Sequence, residues 1–186
     1  MDKNLKKAIA IVLGAVLFII LLFIPITKTQ RDGGTIVSSA ILYKRIQWKV
    51  KHAYNNTYTT GEDIYFFPFN FKSYDKYYEP EQTVTFNYEA KPIWMRISDA
   101  EGTEAHKITN SELIAAIMDP VNAATFTYVG KADEDVKTIT ISVSDIERKP
   151  IMFDIKDSHT AVLDGYLYES DIELPYELLL EIFENN

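Results

Sequence analysis

The sequence predicts an N-terminal transmembrane helix followed by one α+β, β-dominated extracytoplasmic domain with one internal helix and a C-terminal helix. Three observations carry that prediction. Lys3, Lys6 and Lys7 precede a run from Ala8 to Ile26 that has no charged side chain. At about 1.5 Å of helical rise per residue, such a run approaches the roughly 30 Å thickness of a hydrocarbon core. Most later segments alternate apolar and polar residues, the period-two signature of half-buried strands. Only two later segments carry the i, i+3, i+4 apolar spacing of an amphipathic helix.

The organisation follows from these signals. Residues 1–7 form a basic cytoplasmic tip, 8–26 the transmembrane anchor, 27–35 a juxtamembrane turn and 36–186 a β-rich extracytoplasmic domain. Ala8, Leu17, Phe18, Leu21, Phe23 and Ile26 are the anchor's representative lipid-facing residues. The apolar run exceeds the 7–15 residues of a secretory signal, and no A-x-A cleavage pattern closes it, so the anchor is expected to remain uncleaved. Three lysines before the run, against Lys28 and Arg31 after it, put the N-terminus inside by the positive-inside rule.

Each element has its own warrant. Asp32-Gly33-Gly34-Thr35 is a turn, because paired glycines accept backbone angles that other residues avoid. Ile46, Trp48 and Val50 alternate with Arg45, Gln47, Lys49 and Lys51 to give a strand, and Ile36 to Tyr43 reads as strand continuous with it or offset by a bulge. Tyr54 to Gly61 is a loop. Asp63 to Phe71 returns to strand chemistry with Tyr65, Phe67, Phe69 and Phe71 on one face, and Pro68 makes it an edge strand or a bulge. Lys72 to Glu81 is a connection. Val84, Phe86 and Tyr88 alternate again, and Pro92 restarts the chain into a strand over Ile93 to Ile97. Ser98 to Lys107 is a polar loop.

Thr109 and Glu112 have capping-box spacing at the start of the internal helix, whose apolar stripe is Leu113, Ile114, Ile117 and Met118; Asp119-Pro120 ends it. Thr125 to Val129 and Val136 to Val143 flank an acidic turn and read as a hairpin. Ile151, Phe153 and Ile155 alternate, and Ala161 to Leu167, broken at Asp164-Gly165, is a further strand or hairpin. Pro175 suits the first position of a terminal helix with Tyr176, Leu179, Leu180 and Phe183 on one side. One domain is the simplest organisation, and a division near Glu79 to Gln82 is the alternative.

Composition narrows the chemistry. The chain carries 27 Asp and Glu against 19 Lys and Arg, whereas nucleic-acid binders usually present a basic face, so no nucleic-acid partner is expected. The absence of cysteine removes disulfides, thiolate metal sites and cysteine nucleophiles together. The oxygen-rich loop of Asp99, Glu101, Gly102, Thr103 and Glu104 fails the order and spacing of a calcium loop, and both it and the cluster of Asp154, Asp157, His159 and Asp164 read as solvated loops. Ser73, Ser98, Ser142 and Ser158 lack a nucleophile context such as G-x-S-x-G. No catalytic residue, metal ligand or cofactor is therefore assigned, with an envelope enzyme using the acidic loops as the alternative.

Two surfaces are candidates for interaction. Arg45, Lys49 and Lys51 make a basic strand face suited to anionic headgroups or wall polyanions, although such a stripe more often meets acidic residues on a neighbouring strand. Tyr74, Tyr77 and Tyr78 extend an aromatic-rich stretch. Within it Phe67, Phe69 and Phe71 are expected to be core with tyrosines at the rim, because phenylalanine is mostly buried.

Asp32-Gly33-Gly34-Thr35, followed by Ala40-Ile41-Leu42-Tyr43-Lys44 and Trp48, resembles a group of small uncharacterised membrane-anchored proteins of Gram-positive Firmicutes that share a DGGT turn and an A-L-x-Y-K-like strand. Ile64 to Ser73 is similar to a second signature of some members. The resemblance covers roughly the first 75 residues and implies an exported, membrane-linked protein with no catalytic residues to carry over. The expected function is thus a single-pass protein whose extracytoplasmic domain binds an envelope protein or cell-wall component, with an immunity-type or structural accessory role as a further alternative.

Overall fold

The computed structural model describes residues 3–86, 88, 92–99, 102, 104–133, 135–144 and 150–184, apart from the side chains of residues 3, 4, 6 and 8. It is β-dominated, with a four-stranded and an eight-stranded sheet. Contacts group the chain into two compact units. Unit 1 comprises Met1–Lys51 and Tyr58–Tyr78, and unit 2 comprises His52–Thr57 and Glu79–Asn186.

Unit 1 opens with helix α1 (Lys3–Phe23). Among the described residues, no helix is long and apolar enough to cross a membrane. The expected span of 8–26 is corrected at its end: the helix stops at Phe23, Pro25 has no N–H with which to continue it, and Ile26 opens a strand. Four antiparallel strands follow as a meander in the order β1 (Ile26–Thr29), β2 (Ile36–Ser39), β3 (Tyr43–Lys51), β4 (Tyr58–Phe66). The stretch from Ile36 to Tyr43 is therefore a hairpin, in which Ser39 faces Lys44 across the ladder and the Ala40 N–H donates to the Tyr43 carbonyl at 2.8 Å.

The β1–β2 turn needs its first glycine. Gly33 has φ +132°, and a Cβ there would lie 2.5 Å from the Lys49 carbonyl oxygen and 2.6 Å from the Lys51 nitrogen. Asp32 Oδ1 accepts the Thr35 N–H at 3.1 Å, and the buried Thr35 hydroxyl accepts the Lys49 N–H at 3.0 Å, so the turn is bolted to the middle strand. β4 begins at Tyr58, well inside the stretch expected to be loop, because all nine of its residues find antiparallel partners on β3. It ends at Phe66. The strand expected as far as Phe71 gives way at the cis Phe67-Pro68 bond to a one-turn 3₁₀ helix over Phe69–Phe71, and a second one covers Tyr74–Tyr77.

Unit 2 is an antiparallel sheet of eight strands in the order β5-β8-β12-β11-β10-β9-β6-β7. Their ranges are β5 (Thr83–Thr85), β6 (Trp94–Asp99), β7 (Ala105–Ile108), β8 (Thr125–Lys131), β9 (Ile139–Ser144), β10 (Ile151–Asp157), β11 (Thr160–Leu163) and β12 (Tyr166–Ser170). β7 takes up part of the stretch expected to be loop from Ser98 to Lys107. Helices α2 (Ser111–Ala123) and α3 (Tyr176–Glu184) share one core with the sheet: Ile114, Ile117, Met118, Val121 and Leu179 join Met95, Ile97, Ile141, Val143, Phe153 and Ile155. Alternate residues of β6, β9 and β10 supply that face, with Ile97 and Phe153 on either side of Ile141.

Three local expectations are corrected here. The cap of α2 is Asn110, whose Oδ1 accepts the N–H groups of Glu112 at 2.9 Å and Leu113 at 3.2 Å. The helix runs through Pro120 to Ala123, because only one backbone donor is lost there and Val121 still buries on the core side. The predicted 125–143 hairpin does not form: β8 pairs with β12 and β5, while β9 pairs with β10 and β6, where its isoleucines meet apolar partners. The Asp164-Gly165 break is a two-residue hairpin turn with φ +51° and +83°, the backbone a tight antiparallel turn requires.

Candidate functional site

The unusual chemistry of unit 1 lies at one end of its sheet. The ladder registers put Ile26, Ser39, Lys44 and Tyr65 in line, with Tyr43 facing Phe66, so the end next to α1 holds the 40–42 loop and the 67–71 turn. The backbone fastens these pieces together. The Leu42 N–H donates to the Leu22 carbonyl at 3.3 Å, joining the loop to the last turn of α1, and the Phe67 N–H donates to the Leu42 carbonyl at 2.9 Å.

The 67–71 turn has an inverted burial pattern. Asn70 is 3% exposed, while Phe67, Phe69 and Phe71 are 59%, 70% and 65% exposed. Its cause is local. Asn70 Nδ2 donates to the Ala40 and Ile41 carbonyls at 3.2 and 3.0 Å, which commits the polar side chain inward and turns its neighbours out. The Tyr77 hydroxyl donates to the Phe69 carbonyl and accepts the Lys72 N–H, and the Lys44 ammonium donates to the Lys72 carbonyl. Burial pushes Lys44 below its ordinary pKa. The expectation that Phe67, Phe69 and Phe71 are core is thus overturned: a 3₁₀ turn stapled by its one amide replaces the strand that would have carried them inward.

Ile24, Ile26, Ile41, Ile64 and Phe66 are exposed at the same end. Helix α1 continues this character. Its large apolar side chains from Ile9 to Phe23, other than the half-buried Leu22, are between 42% and 72% exposed. Leu17, Phe18, Leu21 and Phe23 are among them, Ile26 is exposed on β1, and the side chain of Ala8 lies outside the described ones.

The residues expected to form an interaction surface are divided between two faces. Arg45 is taken up by β4, with Nε and Nη2 donating to the Glu62 carboxylate at 2.7 and 2.8 Å. That bond holds Arg45 above and Glu62 below their ordinary pKa values. The Lys49 ammonium sits 5.6 Å from the centre of the Tyr58 ring, and Lys51 is half-buried. Tyr74, Tyr77 and Tyr78 lie half-buried on the opposite face against the small core of Val37, Ile46 and Trp48. Tyr65 stacks on Tyr77 at 3.9 Å, and Trp48 donates to Asp63 at 2.6 Å. Burial and then the Asp32 charge raise the Tyr74 pKa.

In unit 2, buried His52 places Nδ1 2.8 Å from Asp164 Oδ2, and Asp164 Oδ1 accepts the Ala53 N–H at 3.0 Å. The carboxylate therefore anchors the 52–57 segment. Asp157 caps its own turn by accepting the His159 N–H, and the His106 ring packs on Phe183. Among the described residues, no three His, Asp or Glu side chains gather as metal ligands. Two shallow clefts flank β6 and β7, of about 460 Å³ at Trp94, Arg96, Ala105 and Lys107, and about 370 Å³ between Asp99, Glu104, Lys137 and Phe183.

The units also differ in charge. Unit 1 has eleven Lys and Arg against five Asp and Glu, whereas unit 2 has eight against twenty-two. The acidity of the chain belongs to unit 2, a division that whole-chain composition averages away. The outward phenylalanines were also missed, although the Asn between two Phe residues after a proline was the available signal.

No protein-family model matches this chain, and neither a curated protein nor a solved structure is similar to it.

Proposed function

We propose that the chain is a membrane-anchored protein whose sheet units work at the cell envelope as binding modules. The observation that carries this reading is α1, a helix with exposed leucine, isoleucine, valine and phenylalanine on every side. A helix apolar all round is stable only where it is covered, and a bilayer covers it without a partner chain. The helix from Ala8 to Phe23 rises about 24 Å. The helix alone falls short of the roughly 30 Å core, and a bilayer accommodates a short apolar helix by thinning locally around it. Lysines at the N-terminal tip reach water by snorkelling and favour the inside.

Binding of an envelope protein or wall component is the role we assign to the exported part. The test is extraction of cell membranes with alkaline carbonate, together with protease shaving of intact cells carrying a C-terminal tag. The tag should stay with the membrane pellet and be lost on shaving. Release of the intact chain by carbonate removes the anchor, and a protected tag reverses the orientation.

A further inference from the structure

We infer that the apolar end of unit 1 is a second membrane contact: a collar of Phe66, Phe67, Phe69, Phe71 and Ile41 that lies in the acyl boundary of the same bilayer leaflet from which the anchor emerges. This rests on the anchor reading above. The collar is placed by the fold of unit 1 itself. The Leu42-to-Leu22 hydrogen bond joins the 40–42 loop to the last helical turn, and the Phe67-to-Leu42 bond joins the phenylalanine turn to that loop. Whatever surface α1 leaves at Phe23, the collar is held beside it.

The choice of a lipid occupant rests on three features. The exposed apolar side chains lie on segments joined to α1: Ile24 and Ile26 follow it directly, and Ile41 and the phenylalanines sit on a loop and a turn hydrogen-bonded to its last turn. The charges nearest the collar are basic: Lys72 is the single charged residue between Ile64 and Tyr74, and Lys44 stands at this end of β3, whereas Lys28 shares a ladder rung with Asp63, and Arg31 and Asp32 lie in the turn at the far end of β1. Basic residues flanking an apolar surface match anionic headgroups above acyl chains. The buried Asn70 fixes the turn, so the phenylalanines are presented outward before any lipid arrives and little ordering remains to be done on insertion.

The functional consequence is orientation. A single helix leaves an attached domain free to tilt, whereas a helix plus a collar hydrogen-bonded to its last turn through the 40–42 loop defines how the sheet stands on the membrane. β3 and β4, nine residues each, then carry their far ends roughly 30 Å from the lipid.

The absence of cysteine allows a direct test on the full chain. Phe69→Cys, Phe67→Cys and the control Thr60→Cys are each labelled with an environment-sensitive fluorophore and reconstituted into vesicles of phosphatidylcholine with a minority of phosphatidylglycerol. Flotation reports the anchor, and quenching by nitroxide-labelled lipid reports the collar. Labels at positions 67 and 69 should be shifted to the blue and quenched several-fold more than the label at 60, which is six strand positions from Phe66. Flotation with equal quenching at 60 and 69 overturns the collar and leaves the anchor standing. A blue shift without lipid quenching also overturns it, because another protein surface then covers the site. Failure to float overturns the anchor and the collar together. Placing the label at Phe66→Cys in a Phe67→Ser, Phe69→Ser, Phe71→Ser background separates insertion from labelling artefacts: the chain should still float and the label should lose its quenching, and quenching that persists overturns the collar.

Discussion

Asn70 shows how one side chain can decide which way its neighbours face. Its amide holds two carbonyls of the 40–42 loop, and an orphaned buried partner costs about 1–3 kcal/mol. Asn70→Ala should therefore lower the stability of unit 1 by about that amount and speed hydrogen exchange over 67–71. Phe69→Ser, at an exposed position, should stay within about 0.5 kcal/mol in detergent solution. Hydrogen exchange with mass spectrometry reads both. Asp154 gives a second prediction at this scale. It faces Thr140 across the β9–β10 ladder, and burial raises its pKa above the ordinary 3.8 while a hydrogen bond from Thr140 opposes the shift. A carboxyl whose folded pKa lies above its unfolded one costs nothing below the unfolded value. The cost grows as pH rises through the interval between the two and is full above it. Asp154→Asn should accordingly raise the unfolding temperature at pH 7 and lose that advantage as the pH falls to about 3.8. A gain that persists unchanged in acid would assign the effect to packing instead.

At the scale of elements, the capping of α2 separates two readings of the same three residues. Asn110 accepts two backbone N–H groups at the helix start, so Asn110→Ala should cost about 1 kcal/mol in a denaturant titration. Thr109→Ala should cost close to nothing, and the reverse ranking would restore the capping box read from Thr109 and Glu112. This one-residue shift is typical of what was legible. Apolar alternation located β3 and β10, because each buries one face and the period of two is then forced, while β6 was placed by the restart after Pro92. Strand partners were not legible in the same way: the acidic turn after β8 looked like a hairpin, yet the pairing followed the apolar faces of β9 and β10. The phenylalanine turn was missed for a different reason. Alternating Tyr65, Phe67, Phe69 and Phe71 satisfies a strand pattern, and only the hydrogen bonds of Asn70 to a loop thirty residues earlier in the chain decide against it.

Across the whole molecule the charge is divided rather than diluted, with a basic unit 1 and an acidic unit 2. Charges near an anionic leaflet act within a Debye length, about 10 Å at 0.1 M salt. In vesicles, adding phosphatidylglycerol should slow hydrogen exchange at the sheet end of unit 1 that carries Ile41 and Phe67, and roughly 0.5 M salt should reverse part of the effect. Unit 2 amides should not follow. A uniform response of both units would show that charge division has no bearing on membrane contact. The candidate site itself was legible only in part. The apolar run of α1 is plain in the sequence, but the collar depends on burial, which composition does not report.

The segment His52–Thr57 leaves the ribosome early and finds its place late. Tyr54 belongs to the core of unit 2 beside Phe86, and His52 meets Asp164 across 112 residues of chain. The meander of unit 1 needs only neighbours in sequence and can close while the rest is still being made. The His52–Thr57 segment lacks its Asp164 anchor until the β11–β12 turn has emerged. Completion of unit 2 thus draws on a segment made early and on nearly all of the chain after it, and a product truncated before Leu163 would lack the carboxylate that anchors His52–Thr57.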